Sequence, residues 1–361
     1  MLETSLPRAA YVDDAVWQIE KAKIFSNSWF CIGRDDEIDL IPGCYRLIDL
    51  HGESVIVMRG GDSKLRAFVN MCRHRGTELI DTTVASEQTG CVGALIRCPY
   101  HNWTYNNDGT LRGAPYLDDI DPAEFGLIEI GLEVWSGFVF VRKHSGVGSV
   151  LDGLGEIAAR VRNYPLGDLV VKHSITYQVA ANWKVLCENY NECYHCGPVH
   201  PELCEIVPAF RVGGANNLNW DDGIPHREGA YTFTKSGTTI RKPFPGLSEA
   251  EKVNHKGELI YPNLFLSLAC DHVAAFYLWP TGPAATTIVC DFLFHRDEVC
   301  NDTFDASDAV EFWDVVNKQD WAICERVQRG MNSEFFTVGV FSPMENPSLD
   351  IRQWWRSQIE Q

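Results

Sequence analysis

The sequence contains no long hydrophobic run and comparatively little positive charge. None of its stretches reaches the roughly 18 apolar residues of a membrane span, and the N-terminal segment "MLETSLPRAAYVDDAVWQIEKAKIF" lacks the basic and apolar regions of a secretory signal. Only 31 basic side chains stand against 49 acidic ones, and the net charge of -18 disfavours nucleic acid and anionic membrane surfaces as partners. We therefore expect a soluble, cytoplasmic protein that binds neither nucleic acid nor membranes.

The cysteine content also excludes a class of protein. Thirteen cysteines are an odd number in a long chain without a secretory signal. Disulfides are rare in the reducing cytosol, so a disulfide framework is improbable and reduced thiols or metal ligands are expected. The cysteines that lie near histidines are therefore the first candidates for chemistry.

The hydrophobic pattern changes along the chain, which is long enough for about two domains. Residues 13–28 have a helical period, and short strands with Gly-rich turns continue to about residue 142. After a junction at 143–150, strands and helices alternate, and the longest helical pattern covers 307–331. Residues 210–256, rich in Gly, Asn, Asp and Pro, show no clear period. The sequence predicts an α+β protein with a β-rich first half.

Two pairs of cysteine and histidine occur in the β-rich half. "CRHRG" places Cys72 two residues before His74, and "CPYHNW" places Cys98 three residues before His101. A single pair is usually a buried cysteine beside a surface histidine, but two pairs in one β segment favour a metal site. The four side chains suit tetrahedral zinc, or a [2Fe-2S] cluster with the cysteines on one iron and the histidines on the other. The spacing alone does not choose between these metals.

The longer segment "CPYHNWTYNNDGTLRGAPY", together with "CRHRG", resembles the Rieske motif of oxygenase α subunits. The resemblance implies that the two cysteines and two histidines bind a [2Fe-2S] cluster that relays single electrons. The insert at 77–97 makes the gap between the two pairs longer than is usual in that family, and Asn102 stands where Gly is commoner. Neither departure affects a ligand, and Cys91, within the insert, is interpreted as an unrelated thiol.

A second candidate site lies in "NWKVLCENYNECYHCGPVHPEL". Its pattern predicts a helix with one apolar stripe around Trp183. The opposite stripe carries Lys184, Glu188, Glu192 and His195. Spacing alone fits a solvated charged face as well as a functional one. We expect Gly197-Pro198 to end the helix, so that the chain turns back and brings His200 beside His195.

Two imidazoles need a carboxylate to complete a facial triad for Fe(II), which leaves positions open for O2 and substrate. On the helix predicted at 307–331, Asp320 falls near the centre of the apolar stripe. A buried, unpaired carboxylate costs several kcal/mol, so Asp320 must be protonated, paired or bound to metal. An ion pair with an arginine is the alternative interpretation.

Both segments resemble signatures of the same oxygenase family. "NWKVLCENYNECYHCGPVHPEL" is similar to the segment that supplies two histidine ligands, and "NKQDWAICERVQRG" to the one that supplies the aspartate. The resemblance implies that His195, His200 and Asp320 bind the mononuclear iron, and that Asn189 lies near it.

The resemblance also gives Glu192 a role. In the family, the acidic residue three positions before the first histidine ligand bridges to a Rieske histidine of the neighbouring subunit, and Glu192 occupies that position. Because Glu192 and His195 are neighbours at i,i+3 on a helix, the carboxylate is also able to orient the imidazole. We expect only a supporting role for Glu188.

The resemblance covers nearly the whole chain and implies its architecture. We expect an N-terminal helical segment (1–37) packed on the catalytic domain, a β-rich Rieske domain (38–145), and a catalytic domain (146–361) with a helix-wrapped antiparallel sheet of the helix-grip type. The family implies a homotrimer, or α with β subunits. A separate flavin- and iron-sulfur-containing reductase passes electrons from NAD(P)H to the cluster, which feeds the Fe(II) site across the subunit interface, where O2 is activated.

The substrate class is predicted from finer resemblance. Glu at position 192, in place of the Asp of aromatic-ring dioxygenases, resembles oxygenases that hydroxylate or N-demethylate betaine-type compounds, as do "YPNLFLSLACDHVAAFYLWPTGP" and "DWAICERVQRGM". A quaternary ammonium needs aromatic walls. Candidates are Phe276, Tyr277, Trp279, Tyr231 and Phe233, although strand-core packing is the commoner role for each, and 210–256 is expected to form a lid.

Three other functions remain open at this point. The same metals serve a ring-hydroxylating dioxygenase that acts on an aromatic acid. If the second motif were coincidental, the chain would be an electron carrier or iron-sulfur sensor without catalysis. A zinc-binding regulatory protein would use the cysteine and histidine pairs alone.

Overall fold

The computed structural model describes residues 3–38, 41–83, 88–144, 148–215 and 218–360. The chain forms two compact units. The middle unit is Phe25–Val150, and the two-part unit combines the residues up to Ile24 with those from Leu151 onwards. Within the described ranges, no helix has both the length and the apolar composition needed to span a bilayer.

The strands are β1 (Glu3–Thr4), β2 (Phe30–Arg34), β3 (Cys44–Asp49), β4 (Ser54–Arg59), β5 (Leu65–Val69), β6 (Thr89–Cys91), β7 (Leu95–Arg97), β8 (Thr104–Asn106), β9 (Leu111–Gly113), β10 (Glu129–Trp135), β11 (Phe138–Arg142), β12 (Leu169–Val179), β13 (Ile224–Pro225), β14 (Asn254–Ile260), β15 (Leu264–Leu268), β16 (Val273–Gly282), β17 (Ala285–His295) and β18 (Val340–Phe341).

The α-helices are α1 (Ala9–Val12), α2 (Asp14–Glu20), α3 (Val150–Leu154), α4 (Ile157–Arg160), α5 (Trp183–Tyr190), α6 (Cys196–Val199), α7 (Pro201–Ile206), α8 (Arg296–Val299), α9 (Ser307–Met331) and α10 (Leu349–Ile359). A π-helical turn covers Lys21–Phe25, and short 3-10 turns cover Asp35–Glu37, Pro122–Phe125, Leu166–Asp168, Pro208–Arg211, Gly213–Ala215, Trp220–Asp222 and Pro343–Ser348.

The middle unit is built from two antiparallel sheets. Seven strands have the order β2-β11-β10-β5-β4-β3-β6, and β7-β8-β9 form a second, smaller sheet. Side chains from both sheets share one hydrophobic core, which includes Ile56, Phe68 and Ile96 and also Cys72 and Cys98. Two of the predicted metal ligands are therefore fixed in the hydrophobic core of this unit.

The two-part unit contains the predicted antiparallel sheet and its long helix. The sheet has the order β12-β17-β16-β15-β14-β13. Helix α9 packs on it, and the Tyr177 hydroxyl of β12 donates a hydrogen bond of 2.9 Å to Asp314 Oδ1 of α9. The helix predicted at 307–331 is α9. The α+β architecture, with a β-rich unit and a helix-covered antiparallel sheet, is confirmed.

The middle unit begins before the predicted limit at 37. Strand β2 pairs with β11, so the residues from Phe25 onwards belong to the middle unit and not to an N-terminal segment that ends at 37. The limit at 145/146, and residues 145–147 of the junction predicted at 143–150, lie outside the described residues. The assignment of a function to each segment stays a prediction.

The expectation of reduced cysteines is wrong for two pairs. Cys44 and Cys91 are disulfide-bonded, as are Cys193 and Cys196. Cys91 is therefore not an unrelated thiol: it lies on β6 directly opposite Cys44 on β3. Neighbouring strands bring together residues that are far apart in the sequence, so the Cys44–Cys91 contact could not be read from spacing.

Candidate active site

The four predicted cluster ligands lie together in the middle unit. Cys72 and Cys98 are buried, each 1% exposed, whereas His74 and His101 are exposed. The two imidazole centroids are 4.9 Å apart, and the His74 ring stacks on Trp103 at 5.0 Å. Thiolates held inside and imidazoles held at the surface match the chemistry of a [2Fe-2S] cluster with different ligands on its two irons.

Tight turns present these side chains. The backbone N–H of Gly76 donates to the Cys72 carbonyl, and that of Asn102 donates to the Cys98 carbonyl. Asn102 has a φ of 60°, a left-handed conformation that Gly adopts freely and Asn tolerates better than most residues. The departure noted at Asn102 is therefore compatible with the same loop shape.

Tyr105 stands behind the cluster ligands and was not singled out from the sequence. The Tyr105 hydroxyl accepts a hydrogen bond from the backbone N–H of Arg73 (3.0 Å) and lies 3.3 Å from Cys72 Sγ. Burial raises the pKa of the Tyr105 hydroxyl, so its proton is retained and is available for a hydrogen bond to the sulfur. Burial also raises the pKa of the Cys72 thiol, whose neighbour Cys98 adds to the effect.

In the two-part unit, the helix of the second motif ends earlier than predicted. Helix α5 stops at Tyr190, and Gly197-Pro198 lie inside the first turn of α6, where a proline needs no N–H partner. The Glu192 carboxylate accepts hydrogen bonds from the backbone N–H groups of Tyr194 and His195, which holds a turn in place of the helix. The prediction that Gly197-Pro198 break the helix is therefore wrong.

Pro201 redirects the chain instead. His200 lies between α6 and α7 with a non-helical conformation (φ -120°, ψ 72°), and Pro201 opens α7. A residue that precedes proline is sterically disfavoured in the helical region, so Pro201 separates the two helices at His200. His200 thereby reaches His195, and their ring centroids are 5.2 Å apart.

Asp320 of α9 meets both imidazoles. Its Oδ1 lies 2.9 Å from His200 Nε2 and 3.3 Å from His195 Nε2. Asn189 is next to them, with Nδ2 3.3 Å from His195 Nε2. The structure thus brings the three predicted iron ligands, and the predicted neighbour, to one point.

The far nitrogen of each imidazole is held by another side chain. Glu192 Oε1 lies 2.7 Å from His195 Nδ1, and Gln319 Oε1 lies 2.9 Å from His200 Nδ1. Both oxygens are placed to accept a hydrogen bond from Nδ1–H, which leaves Nε2 of each ring facing the shared point. Gln319 was missed in the sequence, although its position next to Asp320 on α9 was the available signal.

The electrostatics of this point favour a cation. Burial opposes ionisation of Asp320, but hydrogen bonds from His195 and His200 outweigh it and hold the pKa of the carboxyl below its usual range. Burial lowers the pKa of His195, whereas Asp320 and Glu192 raise it to about 10. The carboxylates that attract a proton to His195 attract a divalent metal to the same place.

The residues fit a mononuclear Fe(II) centre. Two imidazole nitrogens and one carboxylate oxygen converge, and the acceptor oxygens at Nδ1 favour the tautomer that a metal needs. This donor set is the 2-His-1-carboxylate type that leaves coordination positions free. Cys196 Sγ also lies 3.9 Å from His195 Nε2, but that sulfur is committed to the disulfide with Cys193.

The charged stripe predicted on the second motif is not solvated. Lys184 is fully buried, and its Nζ lies 2.6 Å from Glu20 Oε1. Glu188 is also buried and accepts a hydrogen bond of 2.6 Å from the Tyr11 hydroxyl. Because Glu20 and Tyr11 come from the N-terminal residues, these buried pairs fix α5, and hence Asn189, in position.

A cavity of about 410 Å³ opens next to the three convergent ligands. Aromatic rings form a continuous wall: Phe233 lies 5.1 Å from Trp313, and Trp313 lies 6.1 Å from Phe276, between ring centroids. Phe210 and Trp220 extend this wall, so the region 210–256 does contribute to the cavity, as expected of a lid.

Only some of the proposed aromatic residues reach the cavity. Phe233 and Phe276 line it, whereas Tyr231, Tyr277 and Trp279 are not among the described residues that do so. The Trp313 indole N–H donates to His272 Nε2 at 3.1 Å, which fixes the ring. The sequence pattern of β16 could not show which of its alternating aromatic side chains faces α9.

One ion pair in the cavity wall is bidentate. Arg160 donates two hydrogen bonds to Glu258, of 2.7 Å and 2.6 Å. A bidentate pair of this kind neutralises the guanidinium within the wall. The cavity thus combines three convergent ligands, aromatic rings and a neutral ion pair. It suits a small molecule that presents a positive or apolar group to the rings.

Comparison with known families matches both units. The model of the Rieske [2Fe-2S] domain matches residues 28–128, and that of the catalytic domain of the ring hydroxylating alpha subunit matches residues 166–361. The first match covers the cysteine and histidine pairs, and the second covers the convergent histidines and aspartate.

Individual relatives cover nearly the same length. The glycine betaine monooxygenase oxygenase subunit of Pseudomonas aeruginosa is 29% identical over 98% of this chain and 89% of the relative. The carnitine monooxygenase oxygenase subunit of Acinetobacter pittii is 30% identical over 91% of this chain and 85% of the relative.

Solved structures share the fold. The quaternary ammonium Rieske monooxygenase CntA in complex with L-carnitine aligns with a TM-score of 0.73 and 26% identity, over 100% of this chain and 96% of that chain. Naphthalene 1,2-dioxygenase from Rhodococcus sp. aligns with a TM-score of 0.74 at 19% identity, over 99% and 94%, which shows the fold alone.

Proposed function

The chain belongs to the Rieske-type ring-hydroxylating oxygenase α-subunit family, and from that premise we propose that it hydroxylates or N-demethylates a small quaternary ammonium compound. It is an oxygenase component with a [2Fe-2S] cluster and a mononuclear iron, and it depends on a separate reductase for electrons. The observation that carries the substrate class is the aromatic wall beside the convergent His195, His200 and Asp320.

Specific residues would hold the metals. Cys72, Cys98, His74 and His101 would bind the cluster, and His195, His200 and Asp320 would bind the iron. When bound, these centres supply single-electron transfer and activation of O2. Glu192 and Gln319 hold the Nδ1 protons of the histidines, so that the Nε2 lone pairs stay available for metal binding.

The remaining side chains select and position the substrate. Phe233, Phe276 and Trp313 offer ring faces to a methylated ammonium, which has no N–H to donate and is stabilised by cation-π contact. The apolar wall excludes water from the reacting N-methyl group. Similarity to glycine betaine, carnitine and choline monooxygenases supports a substrate that carries this group.

The assembly is a proposal as well. We infer a homotrimer in which Glu192 of one subunit meets a cluster-binding histidine of the next. The Glu192 side chain is only 9% exposed, and its carboxylate contacts His195. It would therefore be separated from the iron only by the imidazole of a proposed ligand. Inter-subunit electron transfer is described for the CntA relative. A cytoplasmic location stays a prediction.

A substrate panel tests the function. The purified protein, with a supplied reductase, is assayed for NADH and O2 consumption with glycine betaine, carnitine, choline, stachydrine and benzoate. Consumption with one of the quaternary compounds, together with formaldehyde or a hydroxylated product, is expected. A cis-diol from benzoate with no response to the quaternary compounds would instead identify an aromatic-acid dioxygenase.

A further inference from the structure

One part of the cavity wall is polar and contains a glycine. His255 and Gly257 lie two positions apart on β14 and therefore point to the same face of the sheet. Ser267 on β15 is directly opposite Gly257 in the register. All three residues line the cavity. They form a polar notch, defined by His255, Gly257 and Ser267, beside the aromatic wall.

Both polar atoms of the notch lack a partner within the described part of the chain. Ser267 Oγ and His255 Nδ1 are buried without a hydrogen bond, and the residues are only 1% and 8% exposed. Buried polar groups in folded proteins are nearly always satisfied, so two unsatisfied atoms in residues that line one cavity point to a ligand. Burial lowers the pKa of His255 to about 3, so its imidazole is neutral.

Gly257 is not required by the backbone. Its φ is outside the left-handed region. A Cβ atom at this position would meet Tyr190 Oη at 3.5 Å and His255 Nε2 at 3.7 Å, which are ordinary contacts. Since glycine in a strand interior weakens the strand, alanine would be the better residue for folding. The missing side chain is better explained by the room that it leaves in the cavity beside His255.

We propose that the polar notch binds an oxygen of the substrate, a hydroxyl or a carboxylate oxygen, while the ammonium group lies against the aromatic wall. The proposal rests on the proposed function. A serine hydroxyl and a neutral imidazole N–H both donate to oxygen, whereas a methylated ammonium has nothing to donate to either. The notch adjoins the wall, because the His255 ring is 4.6 Å from Phe233 between centroids.

Neutral donors are needed because the cavity arginine is occupied. Arg160 is already bound in bidentate fashion by Glu258, so its charge is compensated before any ligand arrives. The notch therefore fixes the polar end of the substrate by hydrogen bonds, which set its direction relative to the rings. A bound oxygen in the notch would determine which end of the molecule faces His195 and His200.

Equilibrium binding tests the notch without turnover. Dissociation constants are measured by calorimetry on the metal-loaded protein, without reductase, for choline, glycine betaine, n-propyltrimethylammonium and tetramethylammonium. Ser267→Ala is expected to weaken the binding of choline, glycine betaine or both about tenfold, the usual effect of one lost hydrogen bond. The two ammonium ions without oxygen should bind as they do to the wild type.

Gly257→Ala and a control complete the design. A methyl group in the notch should weaken the binding of choline and glycine betaine by a similar factor and leave the binding of tetramethylammonium unchanged. The thermal midpoint should not fall for Ser267→Ala, because Oγ has no partner to lose, nor for Gly257→Ala. Ser174 is an exposed serine on β12, and Ser174→Ala is the matched control. It should change neither the dissociation constants nor the thermal midpoint.

The outcomes separate the two proposals. If Ser267→Ala weakens the binding of choline alone, the notch binds a hydroxyl. If it weakens the binding of glycine betaine alone, the notch binds a carboxylate oxygen. If the wild type binds choline or betaine but Ser267→Ala binds them equally well, or loses all four ligands alike, the notch is rejected and the function stands. If the wild type binds none of the four ions, the substrate class fails and the notch fails with it.

Discussion

His200 and Gln319 are joined by a hydrogen bond of 2.9 Å between the imidazole Nδ1 and the amide Oε1. The amide is itself held, because Gln319 Nε2 donates to Glu202 Oε2 at 2.8 Å. The acceptor oxygen fixes the proton of His200 on Nδ1 and leaves Nε2 facing Asp320. Gln319 thus prepares a ligand for the metal without touching the metal itself.

Gln319→Leu should weaken iron binding about 10- to 100-fold, the usual effect of removing the partner of a metal-binding histidine. The measurement is iron retained against a graded series of chelator concentrations, with the [2Fe-2S] absorbance as an internal reference. Lys318→Leu is the matched control, since Lys318 is largely exposed on the same helix. Equal iron retention by the two variants would remove Gln319 from this role.

Asp320→Ala should abolish iron binding at the mononuclear site and turnover with it. The carboxylate is the only oxygen that lies within 3.3 Å of both imidazole Nε2 atoms among the described contacts. The iron content should fall by about one atom per chain, because a single facial triad binds one iron. The visible and EPR spectra of the cluster should not change. Unchanged iron content would show that Asp320 is not a ligand.

Glu192→Gln should keep both metal centres and slow turnover at least tenfold. The amide oxygen still accepts from His195 Nδ1, so iron is retained, but the charge proposed to couple neighbouring subunits is lost. Stopped-flow oxidation of the prereduced cluster, in the presence of substrate and O2, measures the step directly. Near-normal oxidation of the cluster would reject the bridging role and leave Glu192 as a positioning residue.

Part of this site was predictable because it depends on local pattern. The cysteine and histidine pairs, the two histidines of the second motif and the carboxylate in an apolar stripe all stand out within short segments. Asp320 in particular was found because a charge at that position contradicts ordinary packing. The structure then brings these segments together as expected.

The differences between the sequence pattern and the structure come from side-chain contacts that hydrophobic periodicity does not describe. Lys184 and Glu188 look solvated until Glu20 and Tyr11, from the N-terminal residues, cover them. The early end of α5 depends on where the Glu192 carboxylate finds its N–H partners. Local periodicity carries no information on such contacts, so it cannot locate them.

Tyr105→Phe should lower the reduction potential of the cluster by tens of millivolts. Hydrogen bonds to ligand sulfur favour the reduced, more negative cluster, and the Tyr105 hydroxyl lies 3.3 Å from Cys72 Sγ. The Phe variant keeps the ring in the core and removes only this contact. Potentiometric titration followed by EPR measures the shift; Tyr45→Phe, whose ring packs against the same core, is the control. An unchanged potential in Tyr105→Phe would exclude a hydrogen bond to the ligand.

Glu188 makes stability depend on pH. Burial raises the pKa of its carboxyl from 4.5 to about 7, although the Tyr11 hydroxyl partly offsets this. Between these two values the folded chain keeps a proton that the unfolded chain releases, so the stability falls as pH rises through this window. The full loss, about 3 kcal/mol at most, is reached only above pH 7.

Glu188→Gln mimics the protonated carboxyl and should remove this dependence. The variant is expected to match the wild type near pH 5 and to be more stable near pH 8, because glutamine carries no charge that burial penalises and still accepts a hydrogen bond from Tyr11. Thermal midpoints from pH 5 to 8 measure the difference, with Glu334→Gln, an exposed site, as control. A Glu188→Gln curve that runs parallel to the wild type over this range would mean that Glu188 is already ionised at pH 5 in the folded protein, held so by the nearby charges of Lys184 and Arg352.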